Sequence, residues 1–379
     1  MNILVLNYEF PPLGGGASPV SRDISIRLRK LGHEVTVVTM GFEGLPFYEE
    51  IEGVRVYRLK CWRSKKSSCM PWEQYTYLIA LRRFMKKHLL ENKYDVCHTH
   101  FIIPTGEAAQ WISRKYRIPY VITAHGSDVE GYNQKTYMKI MHILLRPFWR
   151  NIVRHSAGVI APSEYLLGLM QKEMSTGNYI LIPNGLDIAL YESLYVDEIQ
   201  KEKRILLMGR MQKSKNFQTV LRAIAGTDMQ DWKVDVLGDG PYRADLEELS
   251  KELGITERVV FHGWIDNATP EQLSYLKKAS VYITASHFEN CPMAVLETIA
   301  AGCYPLLSDI PAHRQFIEDD QYFFSMDDEN ELARKIEELV RRTWNENRKF
   351  IDISKYGWEN IISQYESVLE NAMELYREL

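Results

Sequence analysis

The sequence predicts an α/β protein with two doubly wound, Rossmann-like parallel-sheet domains. Short β-rich runs alternate with amphipathic stretches, which indicates βαβ units and parallel strands. The alternation restarts near residue 204, after a polar stretch. The 379 residues also exceed the size at which one hydrophobic core usually stops growing. With 45% hydrophobic and 25% charged residues, the composition is that of a globular protein and excludes disordered and collagen-like classes.

The first domain is predicted over residues 1–187. A helix over Ser18–Leu31 is indicated by its amphipathic pattern and by Gly32, which follows it. A turn signal at 183–185 closes the series. Short apolar runs predict the strands Met1–Asn7, Glu34–Thr39, Val54–Leu59, Val96–His100, Tyr120–Ala124, Gly158–Ala161 and Ile180–Ile182.

A linker over 188–203 and a second domain over 204–356 are predicted next. The second domain has the predicted strands Arg204–Met208, Lys233–Leu237, Val259–Phe261, Val281–Thr284 and Cys303–Leu307. Its predicted helices are Asn216–Ala225, Tyr242–Leu253 and Asn330–Arg342. A C-terminal helix over 357–379 is expected to cross back to the first domain. Because ligands of open parallel sheets bind at the carboxyl ends of the strands, the functional site is expected in a crevice between the domains.

Charge is distributed unevenly along the chain. Residues 1–190 carry a net charge of +8 and the remainder carries −12, although the whole chain sums to only −4. The basic half suits an anionic surface or an anionic acceptor; no nucleic-acid partner is predicted. The five cysteines share no metal-ligand spacing, and no signal peptide or membrane span is evident. We therefore expect reduced thiols and a cytoplasmic protein.

Two loops of the first domain are candidate binding elements. Gly14, Gly15 and Gly16 lie between the first strand and its helix, where backbone amides and a helix N-terminus can cradle a phosphate; a plain flexible turn is the alternative. His125 and Asp128, in the HGSD segment, directly follow a strand and can hydrogen-bond a sugar or developing charge. An inert loop histidine is the alternative there.

Two loops of the second domain carry charged candidates. Arg210 and Lys215 follow its first strand, and two cations in an acidic half suit a diphosphate, unless they are simply a solvated pair. Glu289 ends the loop after Val281–Thr284, beside a helix start at Pro292 whose free amides suit sugar hydroxyls. Glu297 lies within reach of a ribose diol.

These segments and their order resemble family-4 glycosyltransferases of the GT-B fold. The resemblance covers nearly the whole chain. It rests on GGG at 14–16, RKLGHEVTVVT at 29–39, HGSD at 125–128, PNGLD at 183–187, GRMQKSKN at 209–216, GDGP at 238–241, FHGW at 261–264, and Glu-x7-Glu over 289–297 followed by AAG at 300–302. The Glu-x7-Glu element is the most specific of these motifs.

The resemblance implies a retaining transferase that moves a hexosyl unit from a UDP- or GDP-linked sugar to a glycan or glycolipid acceptor. Such a reaction would serve cell-surface polysaccharide or glycolipid synthesis. The family's usual mechanism is front-face attack assisted by the leaving phosphate, without a carboxylate nucleophile. Because no Asp-x-Asp motif occurs, a catalytic metal is not expected. No cofactor is expected either, since the nucleotide sugar is a substrate.

The resemblance also implies roles for individual residues. The residues expected to act in catalysis are His125 against the donor sugar, Arg210 and Lys215 on the diphosphate, and Glu289 on the sugar hydroxyls. Those expected to bind the donor are Gly15, Gly16, Asp128, Trp264, Ile265, Asn290, Cys291, Pro292, Met293 and Glu297. Where many members have Gly-Phe-Gly after the first glutamate, this chain has Asn-Cys-Pro, so its sugar preference is left open.

Two other segments admit alternative interpretations. His98 and His100 share one face of a strand and could bind a metal, but no third ligand is evident; an acceptor-side or packing role is favoured. The basic, amphipathic stretch 138–155, together with the basic and aromatic region 60–88, suits an anionic membrane surface at the inner face of the cell membrane. A helix that merely covers the sheet is the alternative.

Three rival functions remain to be weighed. A nucleotide-sugar epimerase of the same architecture would bind the same donor but glycosylate nothing. A non-catalytic sugar-nucleotide sensor would leave Glu289, Arg210 and His125 without a joint purpose. A dehydrogenase is disfavoured, because the glycine fingerprint and the ribose-binding acid after the second strand are missing.

Overall fold

The computed structural model describes residues 1–66, 68–132, 136–194, 201–229, 231–341 and 351–377. They form two compact units, one of Met1–Gly185 with Glu359–Leu379 and one of Leu186–Trp358. Much of the predicted linker belongs to the second unit, because helix α6 (Ile188–Glu192) packs into its core through Tyr191 and strand β9 already begins at Glu202. Residues 195–200 of that linker lie outside the described residues.

The first unit contains an eight-stranded sheet in the order β3-β4-β2-β1-β5-β6-β7-β8. Every pairing is parallel except that of β3 with β4, which is antiparallel. The strands are β1 (Asn2–Leu6), β2 (Glu34–Met40), β3 (Tyr48–Ile51), β4 (Val54–Leu59), β5 (Val96–His100), β6 (Tyr120–Thr123), β7 (Gly158–Ala161) and β8 (Tyr179–Leu181).

Helices connect these strands and bury the sheet. They are α1 (Ala17–Lys30), α2 (Pro71–Glu91), α3 (Thr105–Tyr116), α4 (Thr136–His155), α5 (Glu164–Glu173) and the returning α13 (Trp358–Arg377). The central strands read as continuous apolar runs because both sheet faces are covered. Leu4 and Leu6 join one core cluster with residues of α2 and α3, while Ile3 and Val5 are equally buried on the opposite face.

The C-terminal helix α13 is part of the first unit apart from its first residue, Trp358. Its residue Tyr365 is buried and its ring lies 5.6 Å from that of His98 on β5. Glu366 accepts a 2.7 Å hydrogen bond from His33, and the hydroxyls of Tyr376 and Ser113 lie 3.2 Å apart.

The second unit contains a six-stranded, fully parallel sheet in the order β11-β10-β9-β12-β13-β14. Separate apolar clusters cover its two faces, one built around Leu207 and Val236 and the other around Leu206 and Leu237. The strands are β9 (Glu202–Met208), β10 (Lys233–Leu237), β11 (Val259–Gly263), β12 (Ala279–Thr284), β13 (Tyr304–Ser308) and β14 (Phe323–Phe324). Besides α6, the helices are α7 (Phe217–Ala225), α8 (Arg243–Glu252), α9 (Pro270–Lys278), α10 (Met293–Ala300), α11 (Pro311–Arg314) and α12 (Glu329–Arg341).

Each sheet has one topological switch point, where the chain changes the direction in which it adds strands. In the first unit it lies between β1 and β5, and in the second between β9 and β12. Ligands of doubly wound sheets bind where the loops diverge at such a point. We therefore expect a binding site in the loops that follow β1, β5, β9 and β12.

Candidate functional site

In the second unit, the loops after β9 and β12 meet at the switch point. The loop after β9 forms a 3-10 turn over Lys213–Lys215 that ends at Asn216, whose backbone is left-handed (φ 55°). The backbone amide of His287, in the loop after β12, donates to the carbonyl of Ser214 at 2.9 Å. Both Asn216 and His287 also bind the carboxylate of Asp327, at 2.9 and 2.8 Å. These contacts hold the two loops against each other.

This loop pairing brings together two residues that the sequence singled out 74 positions apart. The Nζ of Lys215 donates to the Oε1 of Glu289, which also accepts a 2.8 Å hydrogen bond from the Ser286 hydroxyl. Burial alone would raise the pKa of Glu289, but the charge and hydrogen bond of Lys215 hold that pKa below its usual value. Glu289 is therefore an ionised carboxylate at neutral pH, able to accept hydrogen bonds from hydroxyl groups.

Arg210 lies in the same loop but is placed differently. Its side chain is exposed, and within the described ranges it has no hydrogen bond or ion pair. Gly209, just before it, has a φ of 145°. An exposed guanidinium with no carboxylate of its own is available for an anion from solution.

The segment from Glu289 to Glu297 leads from this loop into helix α10. The helix begins at Met293, so Pro292 is its N-cap residue and lies just outside the first turn in which the sequence placed it. Asn290 is held through its carbonyl by the Gln315 side-chain amide at 3.0 Å, and Cys291 is buried. The amide of Val295 donates to the Pro292 carbonyl at 3.1 Å, so the amides of Met293 and Ala294, which precede it in the first turn, are those that suit an oxygen-rich ligand.

Glu297 is 4% exposed and accepts a 3.1 Å hydrogen bond from Gln272, with a second from the Tyr191 hydroxyl. Burial without a cation raises its pKa to about 7. The two glutamates of the Glu-x7-Glu element thus differ in charge near neutral pH.

The loops after β10 and β11 complete this edge of the sheet. A side chain at Gly238, where φ is 132°, would lie 2.0 Å from the carbonyl oxygen of Gly209, so only glycine allows these two loops to cross. The amide of Gly238 in turn donates to the carbonyl of Gly263 at 2.7 Å. Trp264 then projects outward, 66% exposed, while Ile265 packs against the apolar cluster around Leu206.

In the first unit, the glycine loop follows β1. Helix α1 begins at Ala17 with Gly16 as its N-cap. Gly15 and Gly16 are exposed, and a Cβ on either would meet no atom within 4 Å. The amide of Gly15 donates to the carboxylate of Glu9 at 3.1 Å, and burial raises the pKa of Glu9. An anion-binding amide of this loop is thus already engaged by a carboxylate.

The loop after β6 carries His125 and Asp128. Asp128 is buried, and its two oxygens accept hydrogen bonds from the amides of Ile102 (2.7 Å) and His125 (3.1 Å). Its carboxylate therefore holds the loop after β5 and the loop after β6 together. Its predicted contact with the donor remains a prediction.

His125 is partly buried between two rings. Its Nε2 lies 2.9 Å from the Nδ1 of His100, and its ring centroid lies 4.7 Å from that of Phe101. Burial lowers the pKa of His125 to about 3 and that of His98 to about 3, and lowers the pKa of His100 well below its usual value. The three rings are neutral at physiological pH.

Nothing in the described ranges forms a cluster of three or more histidine, cysteine, aspartate or glutamate side chains suited to a metal ion. His98 hydrogen-bonds Thr123 at 2.8 Å and packs beside His100, as the packing interpretation expects. Likewise, no helix in the part of the chain that the structure describes is long and apolar enough to cross a membrane.

Several residues at these sites carried no sequence signal. Ser286 and Gln315 support Glu289 and its loop, and Gln272 contacts Glu297, but none lies in a recognisable motif. Buried His313 also lies near Glu289, donating from Nδ1 to the Ser308 carbonyl at 2.8 Å. Glu9 contacts the glycine loop, but in the sequence its only distinguishing feature is that it lies two positions before a Pro-Pro pair.

Comparison with known proteins independently supports a glycosyltransferase. Residues 14–190 match the family described as Glycosyltransferase Family 4, and residues 196–356 match Glycosyl transferases group 1. The chain is 28% identical to alpha-monoglucosyldiacylglycerol synthase of Streptococcus pneumoniae, over 93% of this chain and 81% of that protein.

Solved structures share the fold. Sucrose-phosphate synthase from Thermosynechococcus elongatus superposes with a TM-score of 0.80 at 19% identity, covering 100% of both chains. HepE from Anabaena, solved with UDP and glucose, gives a TM-score of 0.70 at 17% identity, again over 100% of both chains. Two parallel-sheet units, the two family matches and these relatives together identify the chain as a glycosyltransferase of the GT-B fold.

Proposed function

We propose that this protein is a retaining family-4 glycosyltransferase that moves a hexosyl unit from a nucleoside-diphosphate sugar to a glycolipid or glycan acceptor. The observation that carries the proposal is the pairing of Lys215 with Glu289 at the switch point of the second sheet, beside the uncommitted Arg210. One anion and two cations at this point match a sugar with several hydroxyls and a diphosphate with two negative charges.

Each group has a role that follows from its charge. Ionised Glu289 accepts hydrogen bonds from donor-sugar hydroxyls, while Lys215 and Arg210 neutralise the diphosphate. As the bond from the anomeric carbon to the diphosphate breaks, negative charge grows on the leaving oxygen, and preorganised cations stabilise it by several kcal/mol. The acceptor hydroxyl forms the new bond to the anomeric carbon on the same face and gives its proton to the departing phosphate.

On this proposal the remaining residues bind or orient the donor. Gly15 and Gly16 approach the diphosphate, Glu297 binds the ribose diol, and Trp264 with Ile265 brackets the base. His125 contacts the donor sugar. The residues from Asn290 to Met293 offer backbone groups to the sugar. No metal and no cofactor takes part.

Retention is supported by the name of the Streptococcus relative, which specifies an α-linked glucosyl product on diacylglycerol. An α-linked nucleotide sugar would give such a product only if configuration is retained. The same name favours a lipid acceptor. UDP-glucose is the first donor to test, because HepE was solved with UDP and glucose.

The experiment is a product assay with purified protein, UDP-glucose or GDP-mannose, and diacylglycerol in mixed micelles. We expect a glycolipid whose anomeric proton shows the same configuration as the donor. Glu289→Gln is the inactive control. Conversion of the donor to its epimer without glycolipid would favour the epimerase, and binding without any turnover across donors and acceptors would favour the sensor.

The donor base can be found separately. A thermal-shift screen of UDP, GDP and ADP should single out one nucleotide, because a ligand at a hundred times its dissociation constant stabilises a protein by about 2.7 kcal/mol. Equal shifts for all three would remove the support for base recognition at Trp264 and Ile265.

We further propose that the first unit docks on the inner face of the cell membrane through helix α4, which would make the protein cytoplasmic and peripheral. Tyr137, Ile140, Ile143, Leu144 and Phe148 form one exposed apolar stripe on this helix, and Leu144 is 70% exposed. The exposed cations Lys139 and Arg154 on the same helix favour anionic lipid headgroups.

Vesicle co-sedimentation tests this docking. Binding should be stronger to anionic than to neutral vesicles and should weaken with salt. Leu144→Glu with Phe148→Glu should remove it, whereas Met326→Glu, at an exposed apolar site of the second unit, should not. Equal binding by the double variant would refute a role for this stripe.

A further inference from the structure

His100 is hydrogen-bonded to His125, the residue that the proposed function places against the donor sugar. His100 ends β5, and the register of β5 with β6 pairs it with Thr123. His125, two residues beyond that pair, brings its ring to 5.2 Å from the His100 ring at an angle of only 20°. Because His100 is 0% exposed, it reaches no substrate and can act only through His125.

A single proton lies between the two facing nitrogens, Nδ1 of His100 and Nε2 of His125, 2.9 Å apart. Both rings are neutral, since burial lowers their pKa values. Each ring then carries one proton. The direction of this hydrogen bond therefore decides which nitrogen of each ring is protonated and which has a lone pair. Two arrangements are available.

The environment of the other ring nitrogen of His100, Nε2, distinguishes these two arrangements. Its Nε2 is buried and has no hydrogen-bond partner within the described ranges. If His125 donated, the His100 proton would sit on that Nε2 as a buried N–H without an acceptor, at a cost of about 1–3 kcal/mol. If His100 donates from Nδ1, only a lone pair is left unsatisfied there, and unsatisfied acceptors are tolerated better than orphaned N–H groups.

We propose that His100 is a positioning residue that donates from Nδ1 to His125 and so fixes the His125 proton on Nδ1. His125 then presents an N–H donor rather than a lone pair at its other nitrogen, for which the described residues provide no partner. The His125 amide bound to Asp128 and the ring contact with Phe101 hold the orientation. As to its use in catalysis, the inference rests on the proposed function: His125 acts on the donor as a hydrogen-bond donor and not as a base.

The tautomer itself is measured without any substrate. In protein labelled with ¹⁵N-histidine, long-range proton–nitrogen correlations distinguish an Nδ1–H ring from an Nε2–H ring, and the His125 signals are those missing in His125→Gln. We expect Nδ1–H for His125 in the wild type. In His100→Leu, where no donor faces the His125 Nε2, we expect the share of the Nε2–H form to rise, because free neutral histidine favours it. In His100→Asn, whose side-chain amide can replace the Nδ1 donor, Nδ1–H should return.

Turnover provides the second readout. His100→Leu should lower kcat about tenfold, the worth of one neutral hydrogen bond, with little change in donor KM, and His100→Asn should restore most of it. An Nε2–H His125 in the wild type, or a tautomer unchanged in His100→Leu, would overturn the proposal, as would full kcat in His100→Leu. Should the protein transfer no sugar at all while the tautomers behave as expected, the proposed function fails and the positioning of His125 stands.

Discussion

The candidate cluster of the first unit lies on β5 and the loop after β6, and that of the second unit joins the loops after β9 and β12; the two differ in electrostatic character. In the first unit, His98 and His100 are buried and His125 is partly buried, and burial lowers the pKa values of all three rings so that they are neutral. In the second, Glu289 is buried beside Lys215 and stays ionised. Burial alone removes charge from a titratable group, whereas burial with a bonded partner retains it. One unit therefore offers neutral hydrogen-bonding groups, and the other offers fixed charges.

The largest expected effect tests the charged cluster. Lys215→Ala should reduce kcat/KM for transfer about 10²–10³-fold, because a preorganised cation on the leaving group is lost. Lys213→Ala is the matched control: Lys213 lies in the same 3-10 turn but over the Tyr242 ring, 5.7 Å from its centroid, rather than on Glu289. Steady-state kinetics with a fixed acceptor measure both. Comparable losses in the two variants would mean that the general positive field, not the Lys215–Glu289 pair, matters.

Glu297 tests the contrast within the second unit. Its pKa is raised to about 7, above an unfolded value near 4.5. The native state therefore keeps a proton that the unfolded chain releases between these pH values. This contribution is fully present below about pH 4.5 and is lost as pH rises through 7, amounting to about 3 kcal/mol.

Glu297→Gln should remove this pH dependence, as measured by chemical denaturation at pH 5 and pH 8. Glu257→Gln, at an exposed position, should not. Binding of the intact sugar nucleotide should also strengthen in the wild type as pH rises through 7, because an ionised carboxylate accepts both ribose hydroxyls. A flat binding profile would contradict the ribose assignment.

The buried histidines should show the opposite sign. His98, whose pKa is lowered to about 3, binds its proton in the unfolded chain near pH 6.5 but not in the native state. Stability should fall as pH drops below 6.5, by about 2 kcal/mol from pH 8 to pH 5. In His98→Gln, whose amide can keep the bond to Thr123, the pH-dependent loss should shrink by that amount; exposed His155→Gln should leave it unchanged.

Arg210 should give the smallest effect. Because its side chain is exposed, Arg210→Ala should raise donor KM only about tenfold, and the difference should diminish at high salt. Arg222→Ala, which removes an exposed ion pair with Glu329, serves as control. A loss as large as that of Lys215→Ala would mean that Arg210 is ordered against the diphosphate when donor is bound.

The sequence predicted the parallel sheets and nearly all strands, because buried strands read as apolar runs bounded by turns. It missed β3 and β14, which are short edge strands; the consecutive Glu49 and Glu50 of β3 break the apolar pattern. Among the candidate site residues, it singled out Lys215 and Glu289 separately. Their contact depends on the crossing of loops 74 residues apart, which no local pattern encodes.

Asp128 and His100 show a second limit. A carboxylate after a strand looks the same in sequence whether or not its oxygens accept hydrogen bonds from two backbone amides, as those of Asp128 do. The His98–His100 pair suggested a metal only as a minor alternative, and its actual partners, Thr123 and His125, lie on the next strand and its loop. Tertiary packing decides which histidine nitrogen lacks a hydrogen-bond partner, and the sequence alone does not show it.

The return of α13 also bears on the order in which the protein is completed during synthesis. The first unit needs Ile361, Tyr365 and Leu369, all of which are buried, although its other residues end at Gly185. On the ribosome, the N-terminal unit must therefore wait for the whole second unit to be translated before its core is closed. The unit made first is finished last, and a fragment ending near residue 185 would leave an apolar surface uncovered.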